Sequence, residues 1–566
     1  MKVVIVGGVA GGATAAARIR RLDEEAEIIV FERSGFVSYA NCGLPYYVGG
    51  VITHPQELTL QSPEGFWNRF RIDVRVGHEV TDIDVQAKTV TVENLKSGET
   101  FTESYDKLLL SPGAKPTTPA LKGVDSSRVF TLRTVEDTLK IRDYIITNKP
   151  KSAVLAGGGY IGLEMAENLV ELGISVTMVQ RPKQLLAPLD PDMAGYIHGK
   201  MRSKGVSLLL GHTVEGFEED GQGISTLLKD ASPVKADMVI LAIGVTPDTP
   251  LVQKAGLTQG IKGSIVVNDK METGVPDVYA VGDAVEVEHF VTKKPAVISL
   301  AGPANKQGRI VADNICGGTS RYDGSQGSSV IKVFDMTVGI TGINGKTAKS
   351  QEFSYDTIIL TPNSHAGYYP GAQPMAIKVL YQPDTLQILG AQIVGFEGVD
   401  KRIDVISTAI RLGASALQLQ QLDLAYAPPY SSAKDPVNMA GFIIENIHTG
   451  KVKQFHVEDL ETVPKDGSVT LLDTRTKEEF QLGHLENAIN IPVDDIRDNL
   501  MKIPKDKTVY VVCQTGLRSY IACRILSQNG YDCYNLAGGF GHYQVVYMDK
   551  MAAEKQHPCG MRSDGQ

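Results

Sequence analysis

An α/β protein of several domains is predicted by three features of the sequence: its length, an apolar strand running into a glycine-rich turn that occurs twice, and a change of pattern after about residue 330. At 566 residues, and at about 100–200 residues per domain, the chain must hold several cores. Its 42% hydrophobic and 21% charged residues are those of an ordinary globular protein, which excludes wholesale disorder and fibrous repeats. The net charge of −9, without long Lys/Arg runs, argues against a nucleic-acid partner. No stretch approaches the roughly 18 apolar residues of a spanning helix, so no membrane partner is expected.

Residues 2–7 read as a strand, followed by Gly7-Gly8-Val9-Ala10-Gly11-Gly12 and a helix rich in Ala and Arg. Lys2 and the apolar run imitate a secretory signal, but the four glycines form a phosphate-binding pattern leading into Arg18, Arg20 and Arg21. The first glycine permits a tight turn, the last lets helix and strand pack closely, and amides at the helix start face a pyrophosphate. Val9 departs from the pattern by occupying the usual middle glycine. Glu32, with Arg33 beside it, lies where an acidic side chain binds ribose hydroxyls.

The same order returns at Ser152-Ala153-Val154-Leu155-Ala156, which runs into Gly157-Gly158-Gly159-Tyr160-Ile161-Gly162 and a helix through Leu172. At its far end the acidic residue is replaced by Gln180, followed by Arg181 and Lys183. A neutral amide beside two cations does not repel a 2′-phosphate. Two extended stretches, 105–113 and 236–244, end alike, and 276–283 is a strand stopping at Gly282-Asp283. Two Rossmann-like dinucleotide-binding domains follow from this grammar. Strands and helices then alternate without glycine fingerprints to about 447, an α+β pattern. A polar segment, 448–453, leads to a last block of roughly 110 residues, enough for a small α/β domain.

These motifs resemble the two-dinucleotide-binding-domain flavoprotein disulfide reductases over about residues 1–447. The resemblance implies a first part of an FAD-binding domain at 1–112, an NAD(P)H-binding domain at 113–245, a second FAD-binding part at 246–329 and a dimerisation domain at 330–447. It also implies that Gly282 and Asp283 hold the flavin's ribityl chain, that Tyr160 gates the flavin face, and that Glu164 lies nearby. Larger members use a cysteine pair, whereas Ser38-Tyr39-Ala40-Asn41-Cys42-Gly43-Leu44-Pro45 contains one cysteine. A single redox thiol beside a flavin cycles only by joining an outside sulfur or oxygen, as a mixed disulfide, persulfide or sulfenic acid.

That single-cysteine branch contains CoA-disulfide reductases and NADH peroxidases and oxidases. The peroxidase and oxidase relatives place a His at the position of Ala10, so peroxide chemistry lacks a polar partner here. The CoA-disulfide branch carries the Gly-Gly-Val-Ala-Gly-Gly-Ala run found here through Ala13. It also contributes two tyrosines across a dimer interface, matching Tyr368 and Tyr426, whose phenols can donate to a leaving thiolate. Thr14, Arg18 and Arg21 share one helix face, and in that branch these positions, with Ser38 and Asn41, line the CoA site. An ordinary solvated helix face is the plainer alternative.

In the last block, Val509-Tyr510-Val511-Val512 reads as a strand, and Cys513-Gln514-Thr515-Gly516-Leu517-Arg518-Ser519 precedes a helical run. Such a loop directs amides and a helix N-terminus at Cys513, stabilising a thiolate or persulfide. With Leu472-Asp473-Thr474-Arg475 and Gly483 to Pro492, it resembles the rhodanese domain, assigned to 457–566. The loop from Cys513 to Arg518 has the sulfurtransferase length.

The resemblances imply a homodimeric FAD enzyme in which NADH, or NADPH, reduces sulfane sulfur carried as CoA persulfide or polysulfide, with CoA bound as substrate or carrier. Cys42, Cys513, Tyr368, Tyr426 and Arg518 are the expected catalytic residues. CoA-disulfide reduction as main activity, NADH peroxidation, and sulfur transfer by a chain whose flavin half is structural are the alternatives. Six cysteines are too sparse for a disulfide framework and lack zinc spacing, which fits a reducing cytoplasm and no metal. Cys316, Cys523, Cys533 and Cys559 read as structural or incidental.

Overall fold

The structure is a computed structural model that describes residues 1–554; Cys559 and the end of the span 457–566 lie outside the described residues. Among the described residues the chain divides into two compact units, residues 1–183 with 204–327, and residues 184–203 with 328–554. The segment 184–203, which lies within the expected nicotinamide-binding span, groups with the second unit.

The first unit contains two five-stranded parallel sheets. One runs in the order Val278–Ala280, Lys107–Leu110, Lys2–Val6, Glu27–Glu32, Asp73–Val76. The other runs Ser207–Leu210, Ser175–Gln180, Ser152–Ala156, Met238–Leu241, Val129–Thr131. Val3, Val4 and Ile5 in the first, and Val154, Leu155 and Ala156 in the second, are fully buried. Strands covered on both faces need such unbroken apolar runs, and each large side chain buried there contributes about 1.5–3 kcal/mol. The helix Ala10–Leu22 lies along Ala301–Ile315 so closely that a Cβ on Gly308 would stand 2.6 Å from the Gly11 carbonyl oxygen. Arg20 is buried under this helix and donates to the carbonyls of Phe70, Asp23, Glu24, Ala26 and Arg71.

The second unit contains a five-stranded antiparallel sheet, in the order Ser329–Val333, Met336–Gly342, Ile388–Gly395, Met375–Tyr381, Asp356–Leu360. Hairpins thus replace part of the simple strand–helix alternation expected there. A separate parallel sheet follows, ordered Lys453–Phe455, Cys533–Leu536, Val509–Val512, Thr470–Asp473, Ile489–Asn490. Its two faces carry separate apolar clusters, one around Leu472, Val509, Val511 and Leu526, the other around Phe455, Val512, Leu536 and Phe540. No helix among the described residues is long and apolar enough to cross a membrane.

Candidate active sites

Both fingerprints are strand–turn–helix units built alike. Gly7 and Gly157 have φ of +96° and +117°, and a Cβ on either would stand 2.1 Å from a backbone oxygen, of Ser111 and Ala242 respectively. A Cβ on Gly12 or Gly162 would lie 1.9 or 2.1 Å from the carbonyl oxygen of Gly7 or Gly157. Gly11 is similarly confined by Val281, whereas Gly159 faces open space. Neither helix has a side-chain N-cap, at Val9 or at Gly159, so both present free amides to an anion. In each copy the end of the second strand reaches back to the turn: the Gly8 amide donates to Glu32 Oε2 at 2.8 Å, and the Gly158 amide donates to Gln180 Oε1 at 3.0 Å. Glu32 also accepts from the Ser34 amide at 2.9 Å, and burial pushes its carboxyl above the usual range despite these two amides. Arg33 is exposed and donates to Asp248 at 2.5 Å.

Cys42 lies in the short 3-10 turn Asn41–Gly43, which runs into the helix Leu44–Val48, and is exposed. Just upstream, Ser38 is held at φ +48°, a left-handed conformation costly for a side-chain-bearing residue. Two backbone bonds fix it, from its amide to the Gly8 carbonyl (2.8 Å) and from the Leu60 amide to its carbonyl (2.9 Å). The Cys42 thiol is pushed above its ordinary value by partial desolvation, and further by the carboxylates of Glu164 and Asp283 against the pull of Arg133. Asp283 follows Gly282, whose amide donates to Gln307 Oε1 at 2.7 Å, and accepts from Arg133 Nη2 at 2.7 Å. With the Asn41 amide oriented by its surroundings, its nitrogen donates to the Arg133 carbonyl (2.9 Å) and its oxygen accepts from Arg133 Nη1 (3.0 Å).

Tyr46, four residues after Cys42, hydrogen-bonds Glu164. Burial, then the neighbouring charge of Glu167, pushes Glu164 up to about 7, the Tyr46 bond opposing them. Burial beside these carboxylates takes Tyr46 to about 12. Tyr160 opens the helix Tyr160–Glu171 that carries Glu164 and is half-buried. The structure therefore brings Asn41, Cys42, Glu164 and Asp283 into one neighbourhood. It adds Arg133 and Tyr46, which carry no local motif.

The basic face of the first helix is only partly available. Thr14 donates to Asn305 (2.6 Å), and Arg18 forms an ion pair with Asp313 (2.9 Å). Arg21 is exposed. Cys316 is set against Asp23, Asp313 and Arg18 rather than against the Cys42 neighbourhood.

In the second unit, Cys513 is fully buried at the end of the strand Val509–Val512. Its sulfur accepts from the Gly516 amide at 3.1 Å and from Ser519 Oγ at 3.2 Å, two donors that favour an anionic sulfur. The loop is braced from behind, because the amides of Phe540 and Gly541 donate to the carbonyls of Cys513 (2.7 Å) and Gln514 (3.0 Å). Arg475, buried, donates to Asp473 at 2.7 Å, to the Gly483 carbonyl at 2.7 Å and to Gln514 Oε1 at 3.4 Å, and stacks 3.9 Å over Phe540. Arg518 does not stand open: its two terminal nitrogens each bond Glu479 at 2.7 Å. These two hydrogen bonds hold Glu479 down to about 2. Cys523 and Cys533 are buried, with Cys533 Sγ donating to the Cys523 carbonyl at 3.4 Å.

Tyr368 and Tyr426 lie on exposed loops of the second unit and join their hydroxyls at 2.7 Å. This bond raises Tyr426 above the usual phenol value.

Three families match successive spans of the chain. Residues 1–308 match the pyridine nucleotide-disulphide oxidoreductase family, 328–436 its dimerisation domain, and 456–545 the rhodanese-like domain. A coenzyme A disulfide reductase of Staphylococcus aureus (strain JH9) is 39% identical over 442 residues, 78% of this chain and 99% of that one. The crystal structure of reduced Bacillus anthracis CoADR-RHD is similar at a TM-score of 0.95 and 48% identity, covering 97% of this chain and 98% of that one. A NAD-dependent persulfide reductase from A. fulgidus is similar at a TM-score of 0.90 and 37% identity, covering 96% and 100%.

Proposed function

The chain belongs to the pyridine nucleotide-disulphide oxidoreductase family, and from that premise we propose that it is a homodimeric, FAD-dependent NAD(P)H oxidoreductase that reduces sulfane sulfur, with a sulfur-handling rhodanese domain. The observation that carries this reading is Cys42: one exposed thiol beside the Arg133–Asp283 pair, without a neighbouring cysteine among the described residues. A lone thiol cannot close an internal disulfide, so its sulfur partner comes from the substrate.

The uncapped helix starts and confined glycines of both fingerprints support binding of two dinucleotides. Glu32 and Asp283 would hold FAD, whose chemistry when bound is to pass the electron pair of NAD(P)H to sulfur. In the balanced reaction, CoA persulfide, NAD(P)H and one proton give free CoA thiol, hydrogen sulfide and NAD(P)⁺; CoA disulfide in place of the persulfide gives two CoA thiols. Cys42 attacks one sulfur and holds it while the other leaves as a thiolate. Glu164, with a proton affinity near neutrality, holds a proton close to that exchange. Tyr368 and Tyr426 would donate to the leaving thiolate from the partner copy, and Thr14, Arg21, Ser38 and Asn41, with Arg18 through its Asp313 pair, would line the CoA site. In the rhodanese domain, Gly516 and Ser519 would stabilise a persulfide on Cys513.

Steady-state oxidation of NADH and NADPH against CoA persulfide, polysulfide, CoA disulfide and hydrogen peroxide tests the proposal. Turnover with the sulfur substrates and little with peroxide is expected; peroxide as the fastest substrate, or no turnover with any sulfur compound, would overturn it.

A further inference from the structure

Tyr368 and Tyr426 are 58 residues apart in sequence and stand on separate loops, 76% and 45% exposed, yet their hydroxyls meet at 2.7 Å. One hydroxyl–hydroxyl bond in water gains too little to order two loops by itself. The loops must therefore be fixed at their roots.

Both roots converge on one buried side chain, Arg402 of the helix Val399–Arg411. Its Nη2 donates to the Ser364 carbonyl (3.0 Å) at the root of the Tyr368 loop, and to the Tyr430 carbonyl (3.3 Å) and Ser431 Oγ (3.1 Å) at the root of the Tyr426 loop. The same nitrogen pairs with Asp435 Oδ2 at 3.1 Å, so its two hydrogens are shared among four oxygens. Nη1 donates to the Gly398 carbonyl at 3.1 Å, and a Cβ on Gly398 would stand 2.0 Å from it, so the guanidinium is seated against a glycine. Asp435 also accepts from Ser431 Oγ at 2.7 Å and, through Oδ1, from the Val437 amide at the start of the helix Pro436–His448. The Ala366 amide donates to the Ser431 carbonyl at 3.0 Å, joining one loop to the other. A lysine would keep the charge opposite Asp435 but lacks the planar fork that serves both roots and Gly398 at once.

We infer that Arg402 is the positioning residue of the Tyr368–Tyr426 pair, acting through the loop roots to set the spacing at which the two phenols work together. This rests on the proposed donation by those phenols to a leaving thiolate. A double-mutant cycle in the full, flavin-loaded chain tests it, with kcat and KM for CoA disulfide measured in Arg402→Lys, in the Tyr368→Phe/Tyr426→Phe protein and in the protein carrying all three changes. Flavin content and sulfurtransferase activity at Cys513 serve as the folding check. Arg402→Lys should lower kcat about tenfold with KM moved about twofold or less, and should cost nothing further once both phenols are gone. Should Arg402→Lys fail to fold, Ser431→Ala, which keeps the Arg402–Asp435 pair, takes its place in the same cycle with an expected loss of about threefold. An unchanged kcat, or an equal loss with and without the phenols, would overturn the inference while leaving the role of the tyrosines standing. An unchanged kcat in the Tyr368→Phe/Tyr426→Phe protein would remove that role and the inference together.

Discussion

Arg133 donates to Asp283 at 2.7 Å across 150 residues of sequence, and the same side chain bonds Asn41, next to Cys42. The pair is less than one-fifth exposed on either side, so removing one partner costs about 1–3 kcal/mol locally. Arg133→Ala is expected to lower the flavin-to-protein absorbance ratio of the purified enzyme while leaving thiosulfate sulfurtransferase activity at Cys513 in place. A flavin content equal to the wild type would contradict the role given to this pair.

What was legible in the sequence, and what was not, follows from the range of the interactions. Gly7 to Gly12, Gly157 to Gly162 and Cys513 to Arg518 do their work within one strand–turn–helix unit, so spacing alone exposes them. Arg133 and Arg475 are single charged residues whose partners lie elsewhere in the chain, and no local pattern marks them. The basic face of the first helix was visible as a period, but Asp313, which neutralises Arg18, lies 295 residues away. Gln180 was visible as a departure from the acidic pattern; its bond to Gly158 required coordinates.

Glu164 sets the pH response around Cys42. Its folded pKa, about 7, stands above the ordinary 4.5, so the stability it contributes is fully present below 4.5 and is lost as pH rises through 7. The wild-type melting temperature should therefore fall between pH 5 and 8 more steeply than that of Glu164→Gln. The ionised carboxylate also holds the Cys42 thiol protonated, so the same variant should shift the pH profile of Cys42 alkylation to lower pH. A shift to higher pH would contradict the charge relationship.

The Arg518–Glu479 pair has the opposite sign. With Glu479 near 2 against the ordinary 4.5, the pair is present above 4.5 and lost only as pH falls through 2, so it adds no pH dependence to sulfur transfer between pH 5 and 9. Glu479→Gln removes a negative charge and loosens Arg518. The KM for thiosulfate should fall about three- to tenfold, whereas Arg518→Ala should raise it. Identical KM values in all three proteins would exclude Arg518 from anion binding.

Tyr368 and Tyr426 share one hydroxyl–hydroxyl bond. If the two phenols donate to a leaving thiolate, Tyr368→Phe and Tyr426→Phe should each lower kcat for CoA disulfide about 10²-fold or less, with the Cys42 alkylation profile unchanged. The double variant should lose less than the product of the single losses, because the pair acts as a unit. Additive losses would separate their roles.

The division of labour between the two thiols is tested most directly by NAD(P)H oxidation in Cys42→Ser and Cys513→Ser, each measured with CoA disulfide and with polysulfide. Cys42→Ser should abolish reduction of both substrates, while Cys513→Ser should keep the wild-type rate on CoA disulfide and lose rate on polysulfide. Activity surviving in Cys42→Ser would contradict the assignment of the redox thiol, and an unchanged polysulfide rate in Cys513→Ser would contradict the sulfur relay.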